Sequence, residues 1–237
     1  MKIEKHRKRQ IITSFDTNRD KRLKLNSLFQ HLSEIAWEHA KILGVGFEDF
    51  HSTNRFWVLN SISVEVNKMP VWQDEVELVT WPSGLLKLFF TREFEVLDKD
   101  GEILVKASST WLIVDRKSMR PIIPRDYDYL EKYALEKTSL TGPVKIEMLS
   151  SFDKVAEIRS EYTDIDMHQH VNNSVFIRWI ENSISCEVLK DSYYFGIQFI
   201  KEMKVDQIAD VLLDKNSNKF EIKNSDNKTH VRAIFKV

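Results

Sequence analysis

The stretch T-D-I-D-M-H-Q-H-V-N-N-S-V-F-I-R-W-I-E-N-S, residues 163–183, sets a polar cluster directly before an apolar helical stripe. Asp164 and Asp166, His168 and His170, and the adjacent carboxamides of Asn172 and Asn173 fall within eleven residues. Val175, Phe176, Trp179, Ile180 and Ile184 then recur at the three-to-four residue spacing of a buried helix face. A helix start offers unpaired backbone N–H groups and the positive end of the dipole, so it can take up a developing oxyanion. Carboxylates and imidazoles gathered there point to acid–base chemistry. The plainer reading is a capped turn in which Asp164 or Asp166 accepts N–H bonds and the histidines face water.

Outward from this stretch, residues 153–162 read as a strand. The helix is expected over about 173–189, with strands near 194–205, 208–215, 218–224 and 228–236. The first half has the same order. A strand over 7–15 leads through a charged turn to a helix with apolar positions Leu25, Leu28, Leu32, Ile35, Ala36, His39 and Ile42, ended by Gly44 and Gly46. Period-two alternation then runs to about residue 115, with the D-K-D-G of 98–101 as a hairpin turn. Sliding the halves by 147 residues superposes Phe15 on Tyr162, Asn26 on Asn173, Phe29 on Phe176 and Glu34 on Glu181. The same offset puts Arg19, Lys21 and Leu23 at the positions of Asp166, His168 and His170, so the first half keeps the pattern without the chemistry. One helix followed by an antiparallel meander, made twice, is an α+β layout.

Between the halves, residues 116–150 carry Arg116, Lys117 and Arg120 beside Pro121 and Pro124, then a short charged helical stretch, and mark a boundary. We divide the chain into a domain over 1–135, a linker over 136–152 and a domain over 153–237. The 237 residues are 42% hydrophobic and 30% charged with a net charge of −1, a balance without the basic field that general nucleic-acid binding needs. Met1–Thr13 is basic but has no long apolar core, so export is not expected, and no apolar run reaches the roughly 18 residues of a membrane span. The single cysteine, Cys186, excludes an internal disulfide and suits a reducing cytoplasm.

A long helix wrapped by an antiparallel sheet, made twice, resembles the tandem (double) hot dog fold, and three stretches narrow the resemblance to the acyl-acyl carrier protein (acyl-ACP) thioesterase family of plants and bacteria. They are R-F-W-V-L-N-S-I-S-V-E-V-N-K-M-P-V-W-Q-D-E-V-E-L-V-T-W-P-S-G (55–84), S-S-T-W-L-I-V-D-R-K-S-M-R-P-I-I-P (108–124) and D-I-D-M-H-Q-H-V-N-N (164–173). The family pattern is Asp-x-Asn-x-His-Val-Asn-Asn, with a Glu on the strand after the helix that is usually followed by Cys in plant members. By resemblance Asp166, His170 and Glu202 match its Asp, His and Glu. His168 stands where the family usually has Asn, and Met203 where plant members have Cys, so a papain-like Cys-His-Asn mechanism is not available. Cys186, at the far end of the helix, does not easily replace it.

The resemblance implies hydrolysis of fatty acyl-ACP to free fatty acid, with no metal or organic cofactor. His170 would activate water, Glu202 would orient the imidazole, and Asp166 would hold the water or attack the carbonyl itself; which carboxylate does which job stays open. His168 would donate a hydrogen bond as Asn does, with a charge that varies near neutral pH. Backbone N–H groups of Val171, Asn172 and Asn173 would receive the oxyanion. Trp37, Trp57, Trp72, Trp81, Trp111 and Trp179 are candidates to line an acyl tunnel, or else are core. The cations of residues 5–9 and 116–125 are candidates to dock the acidic carrier protein, or else are a solvated surface. The protein is expected as a monomer or homodimer. Alternatives are an acyl-coenzyme A thioesterase of the same fold and a hot dog module that binds acyl chains without cleaving them.

Overall fold

Helix α1 (Leu25–Ile42) forms where the apolar spacing requires it, burying Leu28, Leu32 and Ile35 completely, and it ends where Gly44 takes φ +71°. The computed structural model describes residues 5–123, 130–138, 140–184, 189 and 192–237. Beside α1 lie the short α2 (Phe47–His51) and, in the second half, α3 (Asn173–Glu181). The strands are β1 (His6–Ile11), β2 (Arg55–Val66), β3 (Glu75–Leu86), β4 (Phe89–Leu97), β5 (Ile103–Asp115), β6 (Arg120–Pro121), β7 (Asp153–Arg159), β8 (Tyr193–Phe199), β9 (Ile208–Asp214), β10 (Lys219–Asn224) and β11 (Thr229–Lys236). This is the α+β class expected: a large antiparallel sheet with few helices. Among the described residues, no helix is long and apolar enough to cross a membrane.

The strands form one sheet in the order β1-β3-β4-β5-β2-β8-β11-β10-β9-β7, with β6 added to β5. Counted from its own outer edge, each half reads first, third, fourth, fifth, second strand. The halves meet at β2 and β8, paired antiparallel from Ser61 with Gln198 to Val66 with Tyr193. A buried apolar cluster crosses that joint, linking Ile35 of α1, Val64 of β2, Ile177 and Ile180 of α3 and Phe195 of β8.

Hydrogen bonds tie the halves and the segment between them further. Lys24, the residue before α1, provides no side-chain cap; instead Glu181, at the end of α3, accepts the N–H groups of Leu25 at 2.7 Å and Asn26 at 3.1 Å. On the sheet face away from α1, fully buried Glu93 accepts the hydroxyls of Thr138 at 2.6 Å and Thr141 at 2.7 Å. Leu135 N–H reaches Pro82 C=O, Trp81 Nε1–H reaches Glu136 C=O, and Leu149 N–H reaches Glu221. The polar segment read as a connector therefore lies strapped to both halves of the sheet.

Several expected boundaries move. The first strand stops at Ile11, because Thr13 and Asp16 close a turn and leave Phe15 exposed. The second helix stops at Glu181, where Ser183 N–H turns back to Ile180 C=O. The strand expected to reach 205 stops at Phe199, since the N–H groups of Ile200 and Lys201 both donate to His230 C=O and end the regular ladder.

Candidate active site

The polar cluster folds as two nested turns. A short 3-10 turn, Tyr162–Asp164, buries Asp164, which accepts Glu161 N–H at 3.0 Å and pairs with Arg178 of α3 at 2.6 Å. Asp164 is thus the structural carboxylate. Residues 166–170 then close on themselves: Asp166 N–H donates to His170 C=O at 2.8 Å, and Gln169 adopts φ +66°. Asp166 Oδ1 accepts the His168 N–H at 2.8 Å and the His170 N–H at 3.4 Å, while among the described residues no donor reaches its Oδ2. One oxygen holds the turn, and the other is available.

His170 Nε2 meets Glu202 Oε2 at 2.9 Å, and both groups stay partly open to solvent. Glu202 is not on a strand, as the resemblance implied, but in the turn after β8. Val171 N–H donates to Met203 C=O at 2.7 Å, so the two turns are stitched together directly beside the pair. His230 supports the same turn from behind. Its ring is buried against Phe176, its Nδ1 lies 3.1 Å from Lys201 C=O, and burial holds its pKa below the usual histidine range, so Nδ1–H donates from a neutral ring. In the sequence this residue is only a lone histidine entering an apolar strand.

Other expectations are corrected. The N–H groups of Val171 and Asn172 are engaged, the first by Met203 C=O and the second by Asp164 C=O at 2.9 Å. The Asn172 side chain caps α3 by accepting Ser174 N–H at 2.9 Å. Of the three expected oxyanion donors only Asn173 N–H lacks such a bond among the described residues. The His168 ring has aromatic neighbours, Trp37 at 6.4 Å, Phe47 at 5.8 Å and Phe56 at 6.3 Å between centroids, and no hydrogen bond among the described residues. Cys186 lies outside the described residues. Met203 is buried and contributes only its backbone carbonyl.

Asp166, His168, His170, Val171, Asn172, Asn173 and Glu202 all line one cleft of about 1460 Å³, whose other wall comes from α1 and β2. The cleft shares Trp37, Trp57 and Trp111 with an apolar pocket under α1, so these three tryptophans form a wall common to the two. Trp81 and Trp179 are buried elsewhere, and Trp72 is surface. Of the cations considered for docking, Lys5 pairs with Glu136, Lys8 with Glu38, and Arg7 and Arg9 with Glu77, so that set is largely neutralised within the chain. Arg116 instead lies over Phe56, a cleft residue.

The profile of the acyl-ACP thioesterase N-terminal domain matches residues 3–133, and that of the C-terminal domain matches residues 149–236. The chain belongs to the acyl-ACP thioesterase family. Among curated members, the chloroplastic palmitoyl-acyl carrier protein thioesterase of Arabidopsis thaliana is 31% identical over 193 residues, covering 76% of this chain and 47% of that protein. Its counterpart in Cuphea hookeriana is 30% identical, covering 76% and 46%. The chain spans about half the length of these relatives. The crystal structure of an acyl-ACP thioesterase from Bacteroides thetaiotaomicron superposes with a TM-score of 0.86 at 25% identity over 98% of each chain. The 12:0-ACP thioesterase of Umbellularia californica, at TM-score 0.83 and 22% identity over 98% of this chain and 96% of its own, shares the fold. The sheet with few helices is consistent with the hot dog fold expected of an acyl-ACP thioesterase.

Proposed function

We propose that this chain hydrolyses fatty acyl-ACP to free fatty acid and holo carrier protein. One observation carries the reading: a histidine–carboxylate pair 2.9 Å apart faces a cleft that shares three tryptophans with an adjoining apolar pocket. A thioester needs that combination, with polar groups at the carbonyl and apolar walls for the chain. With Nε2–H given to Glu202, His170 Nδ1 is the free base. It removes a proton from a water held by Asp166 Oδ2 as the water oxygen attacks the thioester carbon. Asn173 N–H, at the positive end of α3, receives the oxyanion. Collapse of the tetrahedral adduct breaks the C–S bond, and the imidazolium returns its proton to the leaving thiolate of the carrier's phosphopantetheine.

We further infer two hot dog repeats, 1–135 and 153–237, joined by a linker over 136–152; the identical strand order of the halves supports this. The second repeat carries the catalytic groups and the first the acyl pocket. Arg116 over the cleft residue Phe56 supports a docking role for this basic segment, with Lys117 and Arg120 following it in sequence, toward an acidic carrier protein.

The test is hydrolysis of an acyl-ACP panel across chain lengths, with acyl-coenzyme A as competitor. Release of free acid from the carrier thioesters, lost in Asp166→Ala and Glu202→Ala proteins that keep their melting behaviour, is the expected result. Undiminished turnover in both variants would remove the site assignment, and preference for the coenzyme A esters would change the substrate.

A further inference from the structure

Arg92 is a cation in the wall of the apolar pocket, away from the cleft, whose lining does not include it. The cleft touches β2 and β5, through Trp57 and Trp111, whereas the pocket continues to Phe90 and Arg92 on β4 and to Pro82 on β3. Because β2, β5, β4 and β3 are successive neighbours, Arg92 lies two strand spacings beyond β2, about 10 Å at about 4.8 Å each. Alternation turns Phe90, Arg92 and Phe94 to the helix-covered face, where Arg92 meets His39 of α1.

Its Nη1 donates to His39 Nδ1 at 3.1 Å and to Thr80 Oγ1 at 3.2 Å, and these are its hydrogen bonds among the described residues. No described carboxylate pairs with it; Glu131 lines the same pocket without doing so. Burial lowers the guanidinium pKa to about 10, which leaves it charged at neutral pH. Burial, then the Arg92 charge, hold His39 down near 3, so that neighbour is a neutral acceptor and offers no countercharge. A guanidinium has five N–H donors, and two are used here. The Nε and Nη2 donors remain, on a charged group that lines the pocket together with Ala36, Ala40, Leu43 and Phe90. Arg92 is partly accessible through the pocket, and an acceptor brought to its unused donors there gains a charge-assisted hydrogen bond.

We propose that Arg92 determines specificity at the far end of the acyl chain, accepting chains that end in an oxygen, such as an ω-hydroxyl or ω-carboxylate, and turning back methyl-ended chains long enough to reach it. The inference rests on reading the pocket as the acyl site and extends that reading to the chain's terminus.

The experiment titrates the full chain with free fatty acids and with ω-hydroxy fatty acids of matched length, following quenching of tryptophan fluorescence, since Trp57 and Trp111 line the pocket. Short pairs should bind alike. At lengths that reach Arg92 the ω-hydroxy acid should bind about tenfold tighter. Arg92→Met should abolish that difference and admit longer methyl-ended acids, while Arg92→Lys should retain part of it. If Arg92→Met does not fold, the length series on the unaltered protein decides alone. Equal binding of both series at every length overturns the inference. A length-dependent preference in a protein that cleaves no thioester would instead sink hydrolysis and leave the role of Arg92 standing.

Discussion

His170 and Glu202 meet because a single backbone bond, from Val171 N–H to Met203 C=O, fastens one turn to the other. Glu202 is about half exposed, with 47% of its side chain accessible, so its removal costs the fold little and the chemistry much. Glu202→Gln keeps a partner for the imidazole without the charge; kcat on acyl-ACP should fall about a hundredfold or more with the melting temperature within error of wild type. His39 sets a pH dependence of the opposite kind, on stability. Its pKa in the folded chain, about 3, lies below its ordinary 6.5, so the neutral ring contributes stability that is full above about pH 6.5 and is lost as pH falls toward 3. Urea midpoints measured across that range should drop, and His39→Gln should flatten the drop; an unchanged slope would refute it. That Asp166, His170 and Glu202 come to one cleft was foreshadowed by the family resemblance, Glu202 by the resemblance alone. The surroundings of His168 were not, because Trp37, Phe47 and Phe56 arrive from α1, α2 and β2, more than a hundred residues away.

At the scale of elements, the carboxylate that caps α1 belongs to another helix. Removing it leaves the N–H groups of Leu25 and Asn26 without an acceptor at a helix start that has no side-chain cap of its own. Glu181→Ala should therefore destabilise the chain by about 1–3 kcal/mol, read as a lower urea midpoint, and Glu181→Gln by less, since one oxygen still accepts. The apolar spacing located α1 closely, because eighteen residues carry a strong period. The ends of α3 and β8 were misjudged because apolar residues run past both, and what stops them is tertiary: the His230 carbonyl ends β8, and a backbone turn at Ser183 ends α3.

For the molecule as a whole, the order of elements was readable in the 147-residue offset, but the seam between halves was not, because nothing in β2 or β8 names its partner. That seam pairs two strands and shares one apolar core, so separating the halves would bare two sheet edges and split the cluster. Residues 1–135 and 153–237 expressed apart should each lack a cooperative thermal transition, whereas the full chain should show one by calorimetry; an independently melting half would contradict this. The cap on α1 also bears on counting. Asn26 is the residue that the 147-residue offset sets against Asn173, and its N–H is already bound to the chain's own carboxylate. An incoming anion at the start of α1 would have to displace a tethered competitor that never dissociates. Active-site titration should accordingly reach an endpoint of one equivalent of acyl ligand per chain, although each half of the sheet has a helix beside it.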